Sequence, residues 1–138
     1  MEGKSGIAKN ITEVAAKLEF MEPVSSVKYR IAYSMIKDAE GKGLIFPIKS
    51  TLVEITSGNT GIGLASIATS MGYKLIIVMP HTYSLEQRVL LGVLGAGLLI
   101  FEATKGLEYI TKELYERTPD SHFIRQFENL ANPKVLYI

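Results

Sequence analysis

Thr56, Ser57, Gly58, Asn59, Thr60 and Gly61 crowd hydroxyls, a side-chain amide and two glycines into one short run between an apolar stretch and a helical one. Such a run is suited to cradling an anion. Backbone amides at a helix start carry partial positive charge, glycines let the backbone approach a ligand, and Thr, Ser and Asn side chains add hydrogen-bonding groups. The same residues also make an ordinary strand-to-helix turn with its cap, so spacing alone leaves both readings open. The glycines at 58, 61 and 63 do not reproduce the GxGxxG dinucleotide spacing, and no lysine stands where a Walker A loop requires one. A second candidate is Lys28, just after Ser25 and Ser26 and in the first turn of an expected helix. The positive end of a helix dipole disfavours an ammonium there, which favours the free amine that imine chemistry needs. Taken alone, Lys28 reads more readily as a solvated surface lysine than as a reactive amine.

These residues need elements to position them. Four apolar, β-branched-rich runs at 51–55, 74–79, 98–102 and 122–127 begin 23 or 24 residues apart. That interval accommodates strand, loop, three-turn helix and loop, the crossover unit that joins parallel strands. The sequence therefore predicts an α/β, three-layer domain with four mostly parallel strands. Helices are expected at 26–40, with Val27, Ile31, Met35 and Ile36 on one stripe, and at 61–71, with Ile62, Ala65, Ala68 and Thr69 inward. Two more are expected at 85–94, opened by a Ser84/Gln87 capping box, and at 106–117, with Leu107, Ile110 and Leu114 on one face. The 129–138 tail has no expected helix, and its apolar VLYI end suggests a chain that stops within a fold, so residues 1–138 are read as a single partial domain.

Composition narrows the function classes. The chain has 138 residues, 47% of them hydrophobic and 21% charged, the profile of one globular unit. A net charge of +1 without a basic stripe implies no nucleic-acid partner. Zero cysteines and two histidines, His81 and His122, leave no metal centre, no disulfide and no thiol nucleophile. His81 reads as a solvated loop residue and His122 as a strand start. No apolar run approaches the ~20 residues of a membrane helix, and the first residues lack a secretory h-region, so no membrane association and a cytoplasmic location are expected.

The segments MEPVSSVKYRIAYSMIKDAEGKGLI and TLVEITSGNTGIGLA, followed by GYKLIIVMP, SLEQRVLL and RQFENLANPK, resemble cysteine synthase (O-acetylserine sulfhydrylase), particularly the plant type, within the fold-type II pyridoxal-phosphate enzymes. The resemblance implies the N-terminal domain of that fold. It implies pyridoxal 5′-phosphate as cofactor, with Lys28 at the position of the lysine that binds it as a Schiff base and moves protons at the substrate α-carbon. Asn59 would hydrogen-bond the 3′-oxygen of the cofactor ring. Thr56, Ser57, Gly58, Thr60 and Gln126 would hold the substrate α-carboxylate. The family reaction converts O-acetyl-L-serine and sulfide to L-cysteine and acetate, and family members resemble homodimers, so a homodimer or a mixed dimer with an intact homologue is conceivable.

Departures from the family pattern accompany the matches. A GNTPLV-type strand is missing near the start, Tyr29 stands where the family usually has Asp, Val24 replaces a small residue and Arg125 replaces a glutamine. A bulky phenol beside Lys28 is tolerable if it points outward, and it removes a charge from the first turn. No glycine-rich GTGGT loop for the cofactor phosphate occurs in these residues. The expectation is therefore a truncated, inactive relative that retains the cofactor poorly. The alternatives are an interaction module that binds an intact homologue, or an enzyme completed by a partner chain.

Overall fold

A computed structural model describes residues 15–56, 58–102 and 106–136. Strands β1 (Thr51–Ile55), β2 (Lys74–Pro80), β3 (Gly97–Phe101) and β4 (Ser121–Phe123) alternate with helices α1 (Lys28–Gly41), α2 (Asn59–Ser70), α3 (Leu85–Val93), α4 (Leu107–Arg117) and α5 (Ala131–Lys134). The strands form one sheet in the order β3-β2-β1-β4, and every pairing is parallel. The α/β expectation is met, with the sheet wholly parallel.

Alternation along the strands distributes side chains between two faces. Leu52, Leu75, Ile77 and Met79 meet Ile31, Met35 and Ile36 of α1, Leu64, Ala65 and Ala68 of α2, and Leu91 of α3 in the larger core. Val53, Val78 and Phe123 meet Ile110 and Leu114 of α4 on the opposite face. The expected stripe of α1 is thus the buried one. In α2 burial is broader than expected, taking in Thr60, Gly61, Gly63 and Leu64, while Thr69 is exposed and donates to the Leu94 carbonyl at 2.5 Å. Between its exposed ends the helix is buried on more than one face, as a helix covered by its neighbours is.

The ends of α1 follow from local chemistry. Ser26 Oγ accepts from the Lys28 amide at 3.2 Å, and the preceding Ser25 turns the chain at φ 53°. At the other end Gly43 takes φ 68°, its amide bonds Glu40 O at 2.9 Å, and the Leu44 amide bonds Ala39 O at 3.0 Å. That is the Schellman pattern, which satisfies carbonyls the helix leaves free. Arg30 bonds Glu22 at 2.6 Å and Glu19 at 3.2 Å, tying the chain ahead of Lys28 to the helix that Lys28 begins.

Ser84 caps α3 as its sequence pattern requires, accepting from the Gln87 amide at 3.3 Å. Ser84→Ala is expected to lower stability by about 1 kcal/mol, read from the urea unfolding midpoint at unchanged m-value.

Two expectations at the carboxyl end are corrected. The strand expected over 122–127 stops at Phe123 because Arg125 adopts the left-handed region, φ 55°, and the chain turns. The tail is not uncovered, since α5 packs Ala131 into the larger core and its carbonyl accepts from Ser34 Oγ of α1 at 2.8 Å. Pro133 is compatible with so short a helix because it sits in the first turn, where its missing N–H has no intrahelical partner to lose.

Candidate functional site

The order of the strands selects where a ligand can sit. From β1 the chain moves one way to β2 and β3, and then returns through α4, on the other face, to pair β4 with the free flank of β1. In open parallel sheets, ligands bind beyond the carboxyl ends of the strands at such a reversal. The segment leaving β1 is Thr56 to Thr60, and the segment leaving β4 contains Arg125 and Gln126, so both occupy that end.

Each candidate residue has a defined place. Thr56 follows β1 half-buried, its amide donating to Val78 O at 3.2 Å. Ser57 lies outside the described residues. Gly58 is the N-cap of α2 in extended conformation, with no capping side chain, and the Gly61 amide closes onto its carbonyl at 2.9 Å. Asn59 opens the helix exposed, whereas Thr60 behind it is buried. With glycine at the N-cap, the first amides of α2 receive no bond from a cap side chain, which suits an anion site.

Glycines let this loop fold tightly. A Cβ on Gly61 would lie 3.1 Å from Thr56 Cγ2, a tight contact that the Thr56 side chain would have to relieve by a few tenths of an ångström. On Gly63 it would lie 2.6 Å from the carbonyl oxygen of Lys28 and 3.1 Å from the Tyr29 amide nitrogen. The backbone of α2 therefore abuts that of α1 one turn beyond the anion loop. Lys28, half-buried as the first residue of α1, is brought to the same corner of the molecule. Tyr29 beside it is half-buried and packs against the larger core, which an aspartate could not do without losing solvation.

Gln126 is buried, 7% exposed, in the turn after β4. Its amide donates to Glu54 Oε2 at 3.1 Å and its carbonyl accepts from Asn132 Nδ2 at 2.8 Å, so both sides of its backbone are held. Glu54 was not a sequence candidate, yet it is the most perturbed carboxyl described. Burial pushes it up to about 7, against the lowering effect of the Gln126, Ile55 and Arg125 amides. The signal available in the sequence was one acid inside the otherwise apolar TLVEI run.

The remaining candidates stay apart from this corner or carry no chemistry there. His81 is exposed after β2, its amide bonded to Phe101 O at 3.1 Å. His122 is half-buried on β4, where burial and then the Arg125 charge hold its imidazole below the usual histidine range. Among the described residues no group of three metal-ligating side chains exists, and no helix is long and apolar enough to cross a membrane.

The glycine N-cap of α2, the close contact of Gly63 with the Lys28 backbone and the strand-order reversal thus lie together on a parallel α/β fold. The chain belongs to the pyridoxal-phosphate dependent enzyme family, whose family model matches residues 5–138. It is 48% identical over 126 residues to a cysteine synthase of Flavobacterium sp., covering 89% of this chain and 41% of that protein. With cysteine synthase A of Escherichia coli (strain K12) it shares 44% over 126 residues, 88% of this chain and 39% of the other. Among solved structures, a hydrogen sulfide-producing enzyme from Fusobacterium nucleatum superposes with a TM-score of 0.82 at 41% identity, over 88% of this chain and 40% of that one. An O-ureido-L-serine synthase superposes with a TM-score of 0.77 at 43% identity, over 86% and 38%. The chain thus spans about two-fifths of the length of these relatives. The family is pyridoxal-phosphate dependent, so that cofactor is implied for it. The residues present fit one: Lys28 supplies an amine on a backbone that lies against α2, α2 opens on a glycine N-cap, and Gly63 leaves no room for a Cβ between the two helices.

Proposed function

We propose that these residues form the amine-bearing, carboxylate-binding half of a cysteine synthase site, for β-substitution of O-acetyl-L-serine by sulfide. One observation carries the reading: Gly63 packs so closely on Lys28 that a Cβ there would lie 2.6 Å from the Lys28 carbonyl oxygen, which seats the backbone of Lys28 against the helix that continues from the anion loop. Names of relatives support the substrate class, since cysteine synthases are similar to this chain over nearly nine-tenths of its length.

In this site Lys28 would hold the cofactor through Nζ, and Asn59 would bond the oxygen on its ring. The cofactor, when bound, supplies the electron sink for loss of the α-proton and of acetate. The chain's own residues do the rest. First-turn amides of α2, with the hydroxyls of Thr56, Ser57 and Thr60, take the α-carboxylate, Gly58 leaves room for it, and the side-chain amide of Gln126 donates from the β4 side. Fixing the carboxylate at two points orients the α-proton toward one face, where the Lys28 amine can accept it.

The 138-residue polypeptide by itself is proposed to bind weakly and not to turn over. Asn59 is exposed and Gly58 and Lys28 are half-exposed, so water reaches the donors. A neutral hydrogen bond made in competition with water contributes only about 0.5–1.5 kcal/mol, and a wet site forgoes the electrostatic gain of an enclosed one. A partner chain that closes the corner would supply both. The test is to add O-acetyl-L-serine, sulfide and pyridoxal phosphate to the purified chain. Amide resonances of Gly58, Asn59 and Thr60 are expected to shift with roughly millimolar affinity, with no L-cysteine above the blank. No shift at that loop, or turnover abolished by Lys28→Ala, would overturn the reading.

A further inference from the structure

Glu54 occupies an unusual place for a carboxyl group. It sits one residue from the end of β1, 4% exposed, with Ile77 of β2 opposite it in the sheet. Its Oε1 accepts from the Ile55 amide at 3.0 Å, and its Oε2 reaches across the strand-order reversal to the Gln126 amide at 3.1 Å. The segment it grips is otherwise knitted mainly to itself. Glu128 and Asn129 amides donate to Arg125 O at 2.9 and 3.0 Å, Asn129 Nδ2 to Ile124 O at 3.1 Å, and Asn132 Nδ2 to Gln126 O at 2.8 Å. β4 itself has three residues, so the Ile124 amide to Val53 O bond at 3.0 Å is its last rung. Beyond that rung, the described hydrogen bonds from this turn to the carboxyl end of β1 are those made by Glu54.

We propose that Glu54 is a positioning residue: its carboxylate docks the turn after β4 onto β1 and thereby sets Gln126 in register with the Thr56–Thr60 loop that continues the same strand. The inference deepens the carboxylate site proposed above and rests on it. β1 then carries both jaws of the grip, one as its own continuation and one through the acid two residues before Thr56. A neutral hydrophobe at position 54 would fill the space but leave the Gln126 amide buried without an acceptor, which is why an ionisable side chain is kept inside an apolar strand.

An ionised carboxylate can accept from both amides at once, and protonation converts one oxygen into a donor, so the docking responds to pH. The charged and titratable groups around Glu54 are Arg125 and Glu128, which line the same open cleft of about 270 Å³, and His122 on β4; β2 contributes only Ile77 at its register position. Arg125 and Glu128 form an ion pair at 3.5 Å, both exposed.

The experiment follows the amide resonances of the ¹⁵N-labelled full chain from pH 5 to 9, with and without O-acetyl-L-serine. Without ligand, the Ile55 and Gln126 amides are expected to move together with a midpoint near 7 in the wild type and to stay flat in Glu54→Gln. A flat Gln126 amide in the wild type overturns the proposal and needs no variant. A response that persists in Glu54→Gln also overturns it and assigns the titration to His122 or Glu128. With ligand above pH 8, Glu54→Gln is expected to weaken O-acetyl-L-serine binding about threefold or more while the Thr60 amide still saturates. Equal affinity in the two proteins overturns the positioning role. If the ligand moves no amide of the 56–60 loop in either protein, the carboxylate site falls, and the pH arm still decides whether Glu54 docks the turn.

Discussion

Gly63→Ala is expected to destabilise the chain by about 2 kcal/mol or more, although alanine is the better helix former by roughly 1 kcal/mol. The two effects oppose each other and their sizes decide the sign. A Cβ at position 63 would stand 2.6 Å from the Lys28 carbonyl oxygen and 2.8 Å from its carbonyl carbon. Both are backbone atoms, held by the helix that begins there, so neither can swing aside as a long side chain would. The helices must separate, and separation opens the core between Ile31, Ala32 and Leu64, each fully buried. Gly92 in α3 supplies the control, because nothing lies within 4 Å of a Cβ there. Gly92→Ala should gain about 0.5–1 kcal/mol on propensity alone. Urea midpoints measured side by side check the pair, and two stabilising substitutions would deny the close approach of α1 and α2. Gly63→Ala should also weaken any anion binding at the α2 start, since the contact it breaks brings Lys28 there.

The second large effect is on the pH dependence of stability. Glu54 has a folded value of about 7 against an ordinary carboxyl near 4.5, so between those values the folded chain holds a proton that the unfolded chain has released. Its contribution is fully present below the ordinary value and is lost as pH rises through about 7. The loss amounts to about 3 kcal/mol between pH 4.5 and 8, at roughly 1.4 kcal/mol per pH unit. His122 acts in the opposite sense. Its imidazole is held below the usual range, so its contribution is present above the unfolded value and lost as the chain is acidified below it. The wild-type profile therefore blends two slopes, and the difference between wild type and Glu54→Gln isolates one. That difference, in urea unfolding free energy, should grow by about 3 kcal/mol in favour of the variant from pH 4.5 to pH 8. A difference that stays constant with pH would mean that Glu54 is solvated in the folded state.

Much of this architecture was legible because strand and helix periods repeat so regularly. The Ser84 cap, the first three strands and the inward stripe of α1 follow from residues that act within a few positions of one another. What was not legible depends on residues meeting across the fold. Gly63 reads as one more glycine in GNTGIGLA until α1 is known to cross there. Glu54 reads as an odd acid until a turn 72 residues away presents its amide. The strand after α4 reads as longer in the sequence because HFIRQF is apolar enough, and the left-handed turn at Arg125 ends it. α5 is not legible in the sequence since a four-residue helix has no periodicity to detect, and its place comes from Ser34 and from packing against α1. For the site itself, the sequence supplied residue types and the resemblance supplied roles, while the strand-order reversal placed two of the segments at one end of the sheet.

The central claim is that Lys28 and the opening of α2 share one anion-binding corner. Reductive trapping tests it most directly: the full chain is mixed with pyridoxal phosphate below one equivalent, treated with borohydride and mapped peptide by peptide. An amine beside an anion cradle should capture the phosphorylated aldehyde ahead of freer amines. The label is therefore expected first on Lys28, and more on it than on Lys42 or Lys49, whose side chains are 61% and 66% exposed. Labelling that instead follows exposure, with Lys42 and Lys49 ahead of Lys28, would contradict the account.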